Sequence, residues 1–77
     1  MSSTARAKAK RNKIHEIQFR INELDRARSY IGNTTYYWER RNQLESELNE
    51  LGREVMREFG IPMRNEEEYQ QFLVIYD

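Results

Sequence analysis

Two runs of apolar residues, each with members three and four positions apart, dominate this 77-residue chain. The first run consists of Ile14, Ile17, Ile21, Leu24 and Ile31, and the second of Tyr37, Leu44, Leu48, Leu51 and Val55. Such spacing places one apolar seam along each of two helices, close to a heptad repeat. Only residues 32–34 separate the runs, and so short a loop makes the helices antiparallel neighbours. The sequence therefore predicts an all-α fold with a long, coiled-coil-like antiparallel helical hairpin over residues 14–59.

Glycine and threonine residues mark the ends of these predicted helices. Gly32 suits the position after the first helix, because glycine adopts the left-handed backbone conformation without a Cβ penalty. Thr34 or Thr35 then caps the second helix with its side-chain oxygen. Gly60 ends that helix, which we expect to span about 35–59.

The residues after Pro62 predict a third element. Asn65 can cap a helix, and three glutamates at 66–68 suit the positive end of its dipole. One face of that helix collects Tyr69, Phe72, Leu73 and Tyr76. The run 72–76 is also β-prone, so a strand or an extended tail remains an alternative. We predict a short C-terminal helix over about 65–74, within a Pro-bounded C-terminal segment.

The charge distribution divides the chain, although its net charge is zero. Residues 1–13 form a basic, partly helical N-terminal arm, residues 14–59 the hairpin, and residues 60–77 the C-terminal segment. The arm contains no acidic residue, and its basic residues are Arg6, Lys8, Lys10, Arg11 and Lys13. Such an arm can bind phosphates with salt-sensitive affinity. Alternatively it lies beside Glu54 and Glu58 of the second helix and pairs with them.

Aromatic and basic side chains concentrate where the two helices meet at the turn. The set consists of Arg28, Tyr30, Tyr36, Tyr37, Trp38, Arg40 and Arg41. Tyrosine, tryptophan and arginine are enriched at interaction hot spots, so this end of the hairpin is our candidate partner-binding site. The alternative is that the rings only close the open end of the domain's own core, and the sequence favours neither interpretation.

Arg28 and Arg41 interrupt the two seams at matching levels, where like charges repel. Asp25 is positioned to neutralise Arg28, and Glu45 to neutralise Arg41, with both arginines extending outward. The alternative is that these arginines receive an acidic group from a partner. Gly52 lies inside the second helix at a cost of about 1 kcal/mol against alanine. We interpret it as a tolerated weak point rather than as a place where another helix approaches.

The seam pattern permits two registers for the hairpin. In the first, which agrees with the short loop, Leu24 faces Leu44. In the second, Leu24 faces Leu48 and the second helix overshoots the end of the first by a turn. We prefer the first register.

Residues that enzymes and metal sites need are scarce. The chain has no cysteine, and its single histidine, His15, begins a zinc-protease motif that fails because position 19 is phenylalanine. An acidic row on the second helix consists of Glu47, Glu50, Glu54 and Glu58. Arginines stand three residues from members of this row, so a solvated, salt-bridged face explains it best. We therefore predict no enzyme activity, no cofactor and no metal site.

Location follows only weakly from composition. No apolar run approaches the ~20 residues that span a bilayer, and the basic N-terminus lacks the apolar segment of a secretory signal. A transit peptide is an alternative for the arm. It is a minor one, because the basic stretch leads straight into the helix seam. A chain without cysteine fits a reducing compartment, so we predict a cytoplasmic protein without membrane contact.

These patterns favour a non-catalytic protein-binding module: a small adaptor, assembly component or inhibitor acting through its helical surface and aromatic tip. The alternative is a nucleic-acid-associated protein whose basic arm contacts phosphates. One core of this size rarely supplies more than about 3–5 kcal/mol, so we also expect a homo-oligomer, with a second copy completing a four-helix bundle. The C-terminal segment can instead supply the missing layer within one copy.

Overall fold

The computed structural model describes residues 3–32 and 34–77 (for Ser3, the backbone only), and these residues form three helices and no strand. The helices are α1 (Ser3–Ile31), α2 (Thr35–Phe59) and α3 (Glu66–Ile75). The long helices α1 and α2 pack against each other, and α3 returns to contact α1. The predicted all-α class, a long helical hairpin followed by a short C-terminal helix, is confirmed. The residues outside the described part are Met1, Ser2 and Asn33, the last being the centre of the predicted turn.

The helix ends follow from local chemistry. Gly32 has a φ of 80°, and its N–H donates to the Arg28 carbonyl at 2.7 Å, which closes the last turn of α1. The side chain of Thr34 accepts a hydrogen bond from the Tyr37 N–H at 3.3 Å and caps α2. Gly60 has a φ of 67°, the left-handed conformation that ends α2. Both predicted bounds of α2 are therefore confirmed.

The C-terminal segment is helical, so the strand and extended-tail alternatives are wrong. Asn65 caps α3 by accepting a hydrogen bond from the Glu68 N–H at 2.9 Å. Arg64 donates to the Glu68 carboxylate from its backbone N–H at 2.7 Å and from its guanidinium at 3.0 Å. These bonds fix the first turn, where three glutamates also complement the positive end of the helix dipole. Local capping thus outweighs the β propensity of residues 72–76.

The hydrophobic core combines the hairpin seam with the inner face of α3. Its buried members are Ile14, Ile17, Ile21, Leu44, Leu51, Val55, Met63, Tyr69, Phe72 and Leu73. Leu24 and Leu48 are only partly buried against this cluster. The core therefore lies away from the turn, where three helices contribute side chains. We call this end of the hairpin the base (residues 3–21 and 48–77) and the turn end the tip (residues 25–32 and 34–41).

Gly52 is a point of close contact, and the prediction that it is merely a tolerated weak point is wrong. Tyr69 of α3 lies directly over it, and the Tyr69 hydroxyl donates to the Leu48 carbonyl at 3.2 Å. A Cβ added at Gly52 would lie 3.0 Å from Cζ of Tyr69 and closer still to its hydroxyl. Glycine is needed here because the third layer approaches the backbone of α2, in this case through a side chain.

Two salt bridges show how the basic arm lies against α2. Lys10 contacts Glu54 at 2.6 Å, and Arg6 contacts Glu58 at 3.5 Å. Both pairs join levels of α1 and α2 that agree better with the preferred register, in which Leu24 faces Leu44, than with the alternative, in which Leu24 faces Leu48. The molecule extends over 43 × 23 × 20 Å, so its two ends are well separated.

Candidate interaction site at the hairpin tip

Tyr37 closes the core of the tip. It occupies a seam position on α2 and is only 2% exposed. Its hydroxyl donates to Oδ1 of Asp25 on α1 at 2.6 Å, which ties the two helices together next to the turn. The sequence left open whether the tip rings close the core or bind a partner. Tyr37 closes the core.

Asp25 links Tyr37 to the guanidinium of Arg41. Nε of Arg41 lies 3.1 Å from Oδ1 of Asp25, and the same guanidinium donates to Glu45. The Tyr37 hydrogen bond, together with the Arg41 guanidinium, holds the pKa of Asp25 below its ordinary value. The Asp25 carboxylate in turn raises the pKa of Arg41. The positive charge of Arg28 also lowers the pKa of Asp25, in line with the predicted neutralisation, and Arg41 of the opposite helix is a further partner.

Arg28 also lies over two aromatic rings. Its guanidinium carbon is 5.2 Å from the centre of the Tyr37 ring and 5.4 Å from that of the Trp38 ring. The two rings meet edge to face, with centroids 4.9 Å apart and planes at 78°. Both cation–π distances fall within the favourable range. The repulsion expected between the seam arginines is thus offset, because carboxylates neutralise Arg41 while the rings and the charge of Asp25 stabilise Arg28.

Three rings of the tip remain open to solvent. Tyr30 is 91% exposed, Tyr36 62% and Trp38 42%. Trp38 is the most constrained of the three, because it contacts both Tyr37 and Arg28. An exposed ring held on two sides differs from a mobile surface ring, since little conformational freedom is left for it to lose on binding.

Tyr36 and Trp38 belong to different surfaces. Residues two apart on an α-helix point about 200° apart around its axis. Tyr36 lines a groove of about 380 Å³ between α1 and α2, and Trp38 does not. The other residues lining this groove are Arg20, Glu23, Leu24, Ala27, Arg40 and Leu44. The aromatic tip that the sequence presented as one site therefore consists of a buried plug and two separate faces.

Arg40 belongs to the Tyr36 face. Its guanidinium donates to the Gln43 side-chain oxygen at 2.8 Å. Its bonding partner is therefore neutral, in contrast to the two carboxylates that hold Arg41.

The basic arm is largely engaged within the molecule. Besides the two contacts to α2 made by Arg6 and Lys10, Arg11 donates to the Leu73 carbonyl at 3.0 Å and pairs with Asp77 at 3.1 Å. Arg11 thereby stabilises the negative end of the α3 dipole. The hydrogen bond from Lys10 lowers the pKa of Glu54. Lys8 and Lys13 of the arm are exposed.

Sequence analysis did not identify the contact of Arg11 with the end of α3. The available signal was its position: Arg11 stands seven residues before Gln18 and fourteen before Asp25, on the α1 stripe that faces α3 and the tip network. If that stripe is taken to form a polar edge of the core, Arg11 is predicted to contact α3.

Other features of the described chain lack the arrangement of a chemical site. His15 is exposed, and within residues 3–32 and 34–77 no three His, Asp or Glu side chains group to hold a metal. A polar groove of about 510 Å³ lies between the hairpin and the start of α3. The cations that line it, Arg41 and Arg64, already pair with carboxylates of this chain. Among the helices described, none combines the length and apolar character needed to cross a membrane.

Comparison of the chain with protein-family models, with curated proteins and with solved structures finds no match. The geometry of the tip and of the hairpin faces is therefore the basis for proposing a function.

Proposed function

We propose that this chain is a non-catalytic protein-binding module whose docking surface is the Trp38 side of the hairpin tip. The observation that carries the proposal is the Trp38 ring, 42% exposed and held between the Tyr37 ring and the Arg28 guanidinium. An adaptor, an assembly component or an inhibitor can use such a surface.

A fixed aromatic ring is well suited to anchor a partner. Tryptophan, tyrosine and arginine dominate interaction hot spots, where truncating one anchor costs about 2 kcal/mol or more. Trp38 pays little entropy on binding because its neighbours already hold it. Tyr30, near the end of α1, adds a further exposed ring at the same end of the molecule.

The charge around the ring suggests the chemistry of the partner. Arg28 lies over Trp38, and Arg26 of α1 is exposed on the same end of the hairpin, paired with Glu23 at 3.0 Å. We infer that the partner offers an apolar pocket for the indole bordered by carboxylates. Such complementary charges set orientation and speed association more than they raise affinity.

The proposed function is not catalytic, in keeping with the structural bonds of the titratable groups between the two helices at the tip. Arg41 binds both Asp25 and Glu45, and the buried Tyr37 donates to Asp25. A cytoplasmic location stays a prediction from the cysteine-free composition.

A second candidate is nucleic-acid contact through the basic arm. Its support is the exposure of Lys8 and Lys13, whereas Arg6, Lys10 and Arg11 are engaged with Glu58, Glu54 and the end of α3. This candidate requires salt-dependent binding to nonspecific DNA or RNA that Lys8→Gln with Lys13→Gln abolishes. The protein-binding proposal requires no such binding at physiological salt.

The test is capture of a partner by the immobilised chain, with three variants that separate the faces of the tip. We expect wild type to retain a specific protein from host lysate, identified by mass spectrometry, and Trp38→Ala and Arg28→Gln to lose it. Tyr36→Ala is the matched control, because it removes an exposed ring from the same helix on the other face. Equal capture by wild type and Trp38→Ala would contradict the proposal.

A further inference from the structure

The side of the hairpin that faces away from α3 is a surface of its own. On α2, Tyr69 covers Gly52, while Glu54 points about 200° away from Gly52 around the helix. On α1, Arg11 contacts the end of α3, and Lys13 likewise points to the other side. We call this side the open face. Its α1 residues are Arg6, Lys13, Arg20 and Ala27, and its α2 residues are Tyr36, Arg40, Glu47, Glu54 and Glu58.

Near the tip, the open face has an apolar floor. Leu24, Ala27 and Leu44 line the groove of about 380 Å³ there, and Tyr36 forms one wall. Leu24 is only partly buried, and Tyr36 is 62% exposed. In the described part of the chain, α3 packs on the other side of the hairpin. The floor therefore has the composition of a helix-packing surface without a third helix on it.

Towards the base, the open face carries two columns of opposite charge. Along α1, Arg6, Lys13 and Arg20 recur every seven residues and form a positive column. Along α2, the negative column consists of Glu47, Glu54 and Glu58. Four of these charges already have partners within one copy: Arg6 pairs with Glu58, Lys10 beside the positive column pairs with Glu54, and Arg20 pairs with Glu16 of its own helix at 2.6 Å. A positive column beside a negative column is a pattern that a second copy of the same face can match.

We propose that the open face binds a second copy of this chain, with α1 of each copy lying over α2 of the other. A twofold axis parallel to the hairpin produces this arrangement and keeps both tips at the same end. Each helix then has antiparallel neighbours, as in a four-helix bundle. A twofold axis across the hairpin would instead stack α1 on α1, and the positive columns would repel. The charge pattern thus selects both the occupant and its orientation.

The levels of the charged residues agree with this arrangement. Since α1 and α2 run antiparallel within one copy, Arg20 stands near the level of Glu47, and Lys13 near that of Glu54. The partner's Arg20 therefore lies over Glu47, and the partner's Ala27 lies near Tyr36. The Trp38 surface is not covered, so the dimer would present two docking surfaces at one end. This interface is separate from the proposed docking surface, and either proposal can hold without the other.

The experiment is analytical ultracentrifugation of the purified chain over a micromolar concentration range, with charge-reversed variants. We expect a monomer–dimer equilibrium for wild type. Arg20→Glu alone and Glu47→Lys alone should each weaken it about tenfold, since attraction becomes repulsion at both symmetric positions. An equimolar mixture of the two variants should recover the wild-type affinity. Tyr36→Ala should also weaken the dimer, and Trp38→Ala should not. Neither charge reversal touches a residue of the buried core, and helicity by circular dichroism checks that each variant folds.

Orientation is measured separately by a spin-label distance. The chain has no cysteine, so Ser29→Cys gives a single label at an exposed position within the tip. Tips at the same end place the two labels much closer than the 43 Å length of one copy, and tips at opposite ends place them at about that length or beyond. Three results would overturn the proposal: a strictly monomeric wild type, a dimer indifferent to both charge reversals, or a long label distance.

Discussion

The two ends of the hairpin each bury a tyrosine, and they do so by different physical means. At the base, Tyr69 sits against the bare backbone of Gly52 in an apolar core of three helices, and burial raises its pKa. At the tip, Tyr37 is buried between only two helices, with its hydroxyl on the Asp25 carboxylate and a guanidinium over its ring. Apolar packing closes one end, and a charged network closes the other.

This difference explains where exposed rings collect. Because the base has a third helix, Tyr69 and Phe72 turn inward there, although Phe19 on α1 stays 57% exposed. The tip has no third layer in the described chain, so Tyr37 alone fills its core while Tyr36 and Trp38 face solvent on two sides. The base therefore holds most of the buried apolar side chains, and the tip leaves aromatic surface open to solvent.

The largest expected effect is a core truncation at the base. Ile14 is completely buried, so Ile14→Ala should lower the free energy of unfolding by about 2–5 kcal/mol through lost burial and a residual cavity. Leu24→Ala removes a similar side chain from the groove near the tip and should cost clearly less, because Leu24 is only partly buried. Urea denaturation followed by circular dichroism measures both. Equal losses would remove the distinction between the two ends.

Gly52→Ala tests the close approach of the third layer. The new Cβ would overlap Tyr69, and we expect a loss of about 1–3 kcal/mol despite the higher helix propensity of alanine. Tyr69→Phe removes the hydroxyl that lies nearest, so the loss should be smaller in that background. A double-mutant cycle measures the coupling. If Gly52→Ala stabilises the wild-type chain, α3 does not pack as described.

Tyr37→Phe breaks the corresponding contact at the tip. Losing one hydrogen bond to a partly exposed carboxylate should cost about 1 kcal/mol. The chain has a single tryptophan, and Trp38 contacts the Tyr37 ring, so its fluorescence reports on the tip alone. We expect a change in Trp38 emission with nearly unchanged helicity. A collapse of helicity would mean that the tip supports the whole fold.

Acid should weaken the tip gradually. The pKa of Asp25 is lowered in the folded chain, so its ionised form stabilises the fold above the ordinary pKa of an aspartate, near 4. This stabilisation is lost as the pH falls below that value and through the lowered folded pKa. Trp38 fluorescence from pH 6 to 2 should show the change. In Asp25→Asn the part due to this group should vanish, whereas contributions from Glu54 and Glu68 at the base should remain.

Local rules were sufficient for much of the fold. The positions of Gly32, Thr34 and Gly60 predicted the bounds of α2, because capping depends on a few neighbouring residues. The role of Gly52 could not be predicted in the same way. A helical pattern describes one helix at a time, and it does not show which side chain arrives from a segment that follows a proline.

The tip shows a second limit of sequence reasoning. The aromatic and basic cluster was predicted, but the hydrogen bonds of Asp25 to Tyr37 and Arg41 on the opposite helix were not. Those contacts depend on side-chain directions across the hairpin, which residue spacing does not contain. The separation of Tyr36 from Trp38, in contrast, follows from helix geometry and could have been predicted.

The central claim is that the tip binds a partner while the base stabilises the fold, and Trp38→Ala tests it most directly. Partner capture and the melting temperature are measured on the same preparations of wild type, Trp38→Ala and the Tyr36→Ala control. The account predicts that Trp38→Ala loses the captured protein while its melting temperature changes by only a few degrees, as a change of about 1 kcal/mol or less implies. A melting temperature that falls in step with capture, or capture that survives the substitution, would contradict it.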